Sequence, residues 1–231
     1  MKKFSGLVLA ILFLSAPLAQ AADTRANRSD SFVFLGTSPV GIHIPTLIAP
    51  PVGLGIYLGD NWLFGVESGS VAGESQDDAG STASVSFENT GAYIRWFPGT
   101  NSFNYFAAVH QRKWEARASS TFSSFEAGFF TTVRADAELT ASATVGTLGI
   151  GNQWIMDFGL VLAADWLVLS GLISSESTAV VNATGTVGGI TQTLTPQQKR
   201  DAEKDMKEFG DFLNQVSALP GFLVFTIGLA F

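Results

Sequence analysis

Gly221-Phe222-Leu223-Val224-Phe225-Thr226-Ile227-Gly228-Leu229-Ala230-Phe231 closes the sequence. Leu223, Phe225, Ile227, Leu229 and Phe231 share one face of an extended chain; Val224, Thr226, Gly228 and Ala230 share the other. A period of two belongs to a β-strand, whose successive side chains point to opposite sides. One face is large and apolar, the other small and mildly polar. A helix would space its apolar positions by three and four.

The same alternation recurs upstream around three short turn signals: Gly59-Asp60-Asn61, Pro98-Gly99-Thr100-Asn101-Ser102 and Met156-Asp157. Val52, Leu54, Ile56 and Leu58 precede the first, and Trp62, Phe64 and Val66 follow it. Ala92, Ile94 and Trp96 precede the second; Phe103, Tyr105, Ala107 and Val109 follow it. Leu148, Ile150 and Trp154 lead into the third, and Phe158, Leu160, Leu162 and Ala164 lead out. Short links between alternating segments read as hairpins. At the other end the strands are joined by longer Ser-, Thr- and Gly-rich stretches, about 73–83, 118–137 and 173–220, which read as loops. Counting back from the last strand gives 221–231, 158–172, 140–154, 103–117, 84–97, 62–72 and 51–58. Ser31–Ile44 supplies the eighth, with Pro39 marking a bulge or a strand end. The fold class expected is all-β: eight antiparallel strands in one barrel.

Composition narrows the setting. Charged residues make up 14% of the chain, against roughly 25% in ordinary soluble domains, while Gly (24) and Phe (19) are abundant. Residues 1–21 carry Lys2 and Lys3, an apolar core Leu7–Leu14, and Ala19-Gln20-Ala21, the pattern of a cleaved secretory signal peptide. Cleavage is expected after Ala21, leaving 22–231 as one domain of about 210 residues. No cysteine is present, so disulfides and a lipid-modified cysteine are excluded. Without Lys2 and Lys3 the net charge of −7 becomes −9, which argues against nucleic acid as a partner.

Tight turns at one end and long links at the other are the pattern of bacterial outer-membrane barrels, with the tight turns in the periplasm. Trp62, Trp96, Phe103, Trp154 and Phe158 all lie beside the short turns and read as one aromatic girdle at that lipid boundary. The terminal strand resembles the C-terminal signal of outer-membrane proteins, an alternating apolar strand ending in Phe. The resemblance implies that Leu223, Phe225, Ile227, Leu229 and Phe231 are read by the barrel-assembly machinery. Over about 200 residues the chain resembles the small eight-stranded barrels of the OmpA, OmpX and OmpW type, in architecture and not in a detailed motif. It implies an exported outer-membrane protein, monomeric and surrounded by outer-membrane lipid, with no peptidoglycan-binding domain after Phe231.

An eight-stranded barrel is narrow and filled by side chains. Glu67, Arg95, His110, Arg112 and Asp165 fall on the inward face and are expected to form a charge network there. No cofactor, metal or catalytic site is expected. His43 and His110 lack any nucleophile pattern around them, and Glu74, Asp77 and Asp78 lack calcium-loop spacing. In the last long loop, Thr195 is an N-cap, Pro196 the first helical residue and Gln198 the capping-box partner. Met206, Phe209, Leu213 and Val216 form a stripe, with Phe212 beside it, expected to pack over the barrel mouth. Phe122, Phe125, Phe129 and Phe130 would join it in an apolar surface site or extend a hairpin. Function therefore reads as a structural or surface-interaction role in the envelope, with a surface ligand or partner at the outer loops. The alternatives are small-solute transport, a lipid-modifying enzyme and a soluble ligand-carrying barrel.

Overall fold

The computed structural model describes residues 24–77, 80–126, 129–187 and 190–231. The signal segment expected at 1–21 and Asp78 of the acidic cluster lie outside them. In chain order the elements are α1 (Thr24–Asp30), β1 (Val33–Ile42), α2 (Ile44–Ile48), β2 (Val52–Leu58), β3 (Trp62–Gln76) and β4 (Thr82–Trp96). They continue with β5 (Phe103–Glu126), β6 (Phe129–Ile155), β7 (Leu160–Val187), β8 (Ile190–Thr193), α3 (Pro196–Ser217) and β9 (Phe222–Ala230).

The antiparallel sheet closes in a ring. Strands β1 to β7 pair in sequence order, β7 pairs with β9, and β9 returns to β1. Leu229 shows the closure, standing opposite Leu35 on one side and Leu160 on the other. The register between β1 and β9 shifts twice, between Thr37 and Val40 and between Val40 and Ile42, where Pro39 removes a ladder donor. The terminal strand departs from strict alternation at its start. Leu223 has φ +52°, so its side chain leaves the outward row and Phe222 is the exposed one there.

The links expected as long loops are largely strand. β5, β6 and β7 run for 24, 27 and 28 residues, far past 117, 140 and 172. Ser119 pairs with Asp136 inside the 118–137 stretch read as a loop, and Ala137 pairs with Val181 in the 173–220 link, within Thr178–Asn182, which reads as β-like. Apart from Leu139 and Ser177 under α3, the described side chains of these extensions are exposed or half-buried on both faces, so they carry little apolar alternation, and Thr and Val supply the strand preference instead. Phe122 extends the β5–β6 hairpin, paired with Val133. β8 is a short hairpin on the tip of β7. A second departure lies at the third turn. Phe158 is in the turn and not in the strand, because Gly159 at φ +85° must carry the chain round before β7 begins.

The wall is uneven. β9, β1 and β2 have 9, 10 and 7 residues, against 15 or more in β3 to β7. Above the bridge Val168–Gly221 and below the start of β8, one edge of β7 has no strand beside it. α3 covers that edge: the Val181 N–H donates to Glu203 Oε1, and Asn214 Nδ2 donates to the Glu176 carbonyl.

The closing seam is tight at Gly228. A Cβ there would meet the Leu35 carbonyl at 2.5 Å and the Gly36 Cα at 2.9 Å. Gly228→Val is expected to lower the stability of the closed ring by about 1–3 kcal/mol. The midpoint of urea unfolding in detergent, followed by tryptophan fluorescence, measures this; an unchanged midpoint would contradict the seam geometry.

Candidate functional site

Inside and outside are sorted by the pleat. Val52, Leu54, Ile56 and Leu58 of β2 are exposed, while Gly53, Gly55 and Tyr57 between them are buried. The outward rows of β3 to β6 continue the apolar surface through Phe64, Val66, Val109 and Leu148. At the end of the short turns an aromatic row crosses three strands. Trp62 stands opposite Trp96, and Trp96 opposite Tyr105. Their rings stack with centroids 6.1 and 5.7 Å apart, and Phe103 meets Tyr105 edge-on at 5.1 Å. Trp154 lies on β6 opposite Leu162, and Phe158 is exposed in the neighbouring turn. At the same end of the ring, Phe231 is exposed and its backbone bonds to Val33.

The inward face holds the charged residues singled out by sequence, but as separate pairs at different heights. Arg95 clamps Asp165 with two bonds, 2.7 and 2.8 Å, and also donates to Asn104 Oδ1 at 3.0 Å. Its guanidinium lies 4.8 Å from the centre of the Phe106 ring. His110 Nε2 and Glu67 Oε1 are 2.9 Å apart. Arg112 joins neither acid. Its Nε donates to Asn89 Oδ1 and its Nη1 to the backbone carbonyl of Ser217, at the C-terminal end of α3. A cation suits that end, where unpaired carbonyls concentrate negative charge. The cavity lined by Gly53, Glu67, Tyr93, Arg95 and Gln153 measures about 30 Å³, room for a water molecule or two.

Both ends of the lumen are occupied. At the short-turn end Phe34, Tyr57, Leu63, Phe97, Ile155, Val161 and Ala230 form a buried apolar layer. α1, which sequence reasoning missed, lies beneath it. Arg28 is fully buried, with its guanidinium 4.2 Å from the centre of the Phe97 ring. It donates to the Asp60 and Asn101 carbonyls, and Asn27 Nδ2 donates to the Ile155 carbonyl. Arg25 pairs with Asp60, and this hydrogen bond holds the Asp60 carboxyl below its usual range. α1 thus ties all three short turns together. Its only sequence signal is Arg and Asn in a polar stretch, whose partners are carbonyls far along the chain.

At the other end α3 enters the mouth. Its capping box is formed by Thr195 and Gln198. The face it lays on the sheet is small and polar: Gly210 against Ser177 and Leu139, Asn214 on Ser177, and Ser217 on Arg112 and Trp114. The stripe expected to do this points elsewhere. Met206, Leu213 and Val216 are half-buried and Phe209 and Phe212 are exposed, because close approach to the strands needs small side chains. The buried Phe87 and half-buried Trp114 meet with ring centroids 4.4 Å apart. Higher on the extended sheet a groove of about 640 Å³ is lined by Glu74, Arg117, Asp136, Glu138 and Asn182. Arg117 pairs with Glu138 at 3.0 Å there.

No protein-family model and no curated protein sequence matches the chain. Among solved structures it is similar to CarO of Acinetobacter baumannii, at 12% identity and a TM-score of 0.41, over 87% of this chain and 98% of that one. It is similar also to CarO2 of the same organism, at 11% identity and a TM-score of 0.42 over the same shares.

Removing one partner of the Arg95–Asp165 pair strands a buried charge, at a cost of about 3–5 kcal/mol. Arg95→Met and Asp165→Leu are each expected to destabilise the ring by that order, and the double variant to recover most of the loss. A double-mutant cycle from urea unfolding measures it; additive losses would show that the pair is not coupled.

Proposed function

We propose that this chain is an integral outer-membrane β-barrel with a closed lumen and a structural or surface-interaction role in the cell envelope. The observation that carries it is the reversal of polarity across the wall. Large apolar side chains of β1, β2, β3 and β9 stand exposed, while His110, Arg112 and Asp165 are buried and the Arg95 side chain is only 13% exposed. Soluble proteins keep such apolar patches small and almost never bury these charges. A closed antiparallel sheet leaves few backbone groups unpaired against lipid, which is the condition for crossing a membrane with strands. Among the described residues no helix is long and apolar enough to cross one. The resemblance to OmpA-, OmpX- and OmpW-type barrels rests on the eight-stranded closure alone.

The lumen supports a role at the surface and not conduction. The apolar floor with Arg28, the Arg95–Asp165 pair and the docked end of α3 leave no continuous wide path. Above the apolar band the β3–β7 sheet continues outward and presents the polar groove around Arg117 and Glu138. Under this proposal that groove faces the outside of the cell and is where a partner of the barrel would bind. Nothing in the role calls for catalysis, and the barrel acts as a monomer folded by the assembly machinery.

The test is fractionation followed by reconstitution. The protein is expected in the outer-membrane fraction, with gel mobility that changes on heating, and without discrete conductance steps in planar bilayers. Recovery in the soluble periplasm would overturn the membrane assignment. Regular conductance steps from pure protein would overturn the closed lumen in favour of solute transport.

Arg28 gives a separate check on the floor. Arg28→Ala removes the donors that join α1 to the Asp60 and Asn101 carbonyls. The N-terminal segment is then expected to become accessible to added protease while the ring stays folded. Equal protection in both proteins would contradict the proposed floor.

A further inference from the structure

α3 shows a face that the ring does not cover. Its contacts with the sheet run through Gly210, Asn214 and Ser217, spaced by four and three residues. Phe209 and Phe212 lie outside that contact, 54% and 56% exposed, with ring centroids 6.3 Å apart and planes inclined by 26°. An amphipathic helix on a water-soluble protein does the opposite, turning its large apolar groups inward.

The height of this face is fixed by the docking. Ser217 is held by Arg112 of β5. On that strand the outward side chains run Tyr105, Ala107 and Val109, then Gln111, Lys113 and Glu115. The outer surface therefore changes from apolar to polar at the level where α3 is anchored. On β7, Leu172 and Ile173 are the last exposed apolar pair before Ser177, on which Gly210 rests. Leu219 and Phe222 carry the exposed apolar surface from the end of α3 to the top of β9, and exposed Leu47 belongs to α2, which touches α3. The patch is thus continuous with the band assigned to lipid, on the side where the wall is short.

We propose that Phe209 and Phe212 of α3, together with Phe222, dock into the outer leaflet at the lipid–water boundary, so that α3 is a lipid-contacting part of the wall. Aromatic rings favour that boundary. The main aromatic row, Trp62–Trp96–Tyr105, lies at the short-turn end, so this patch supplies an anchor at the opposite end. The proposal rests on the membrane-spanning reading above.

The sequence has no cysteine, so single cysteines can be placed and labelled with an environment-sensitive dye. The variants are Phe209→Cys, Phe212→Cys, Leu148→Cys in the proposed lipid band and Lys204→Cys on the water-facing side of α3. Each is reconstituted in phosphatidylcholine vesicles with and without brominated acyl chains, and heat-dependent gel mobility checks folding. Quenching at 209 and 212 similar to that at 148, with none at 204, is the expected result. Quenching at 148 alone would overturn the lipid contact of α3 and leave the barrel in its membrane. No quenching at 148 would overturn the membrane reading and this proposal with it. Cross-linking of Phe212→Cys between two copies would also overturn it, assigning the patch to a second copy of the chain.

Discussion

Everything in this molecule depends on the hydrogen-bonded return of β9 to β1. An open eight-stranded sheet of this composition would expose two edges and a broad apolar surface at once. Closure pairs Leu229 with Leu35 and Leu160 together, so the last strand becomes an interior one. The short C-terminal strand can do this because its inward face is small. Gly228 sits almost on the backbone of β1, and Thr226 reaches Ser38 at 2.7 Å. Where closure stops, above Val168, the free edge of β7 is covered by helix side chains.

A narrow ring also decides what its interior can hold. Space goes to glycine opposite large side chains: Gly65 against Tyr93, Gly91 against His110 and Gly149 against Phe106. The charges that remain inside are matched locally. Arg95 has an acid, two rings and an amide around it, and Arg112 has an amide and a helix terminus. Pairing within reach fills volume and neutralises charge together, which buried ions require. The interior is therefore a set of interlocked layers, apolar at the floor and polar above.

The parts legible in sequence rest on local chemistry. The three short turns, the capping box at Thr195 and the alternation of β2 and β9 need only neighbouring residues. The unexpected length of β5, β6 and β7 has the opposite cause: two wetted faces give no pattern to read. Leu223 at positive φ and Phe158 in its turn show how one residue at a strand end shifts a row. For the interior, sequence parity puts Glu67, Arg95, His110, Arg112 and Asp165 on one face. Which acid meets which base depends on stagger around the ring, and Arg112 finds its partner on a helix over a hundred residues away. α3 was readable as a helix, but its orientation was not, because the size of Gly210 outweighed the pull of its apolar stripe.

α1 has one more consequence, for the order in which the molecule is built. It is the earliest described segment of the chain, yet its contacts are Asp60, Asn101, Ile155 and Asp157. No complete receiving surface exists for α1 until three successive hairpins stand side by side. These residues must therefore wait for later ones, staying solvated until the ring has formed. Polar Arg and Asn suit that interval, since an apolar plug of equal size would aggregate while it waited. The seating of Arg28 is thus a late event, and a bound α1 marks a barrel whose hairpins have already come together.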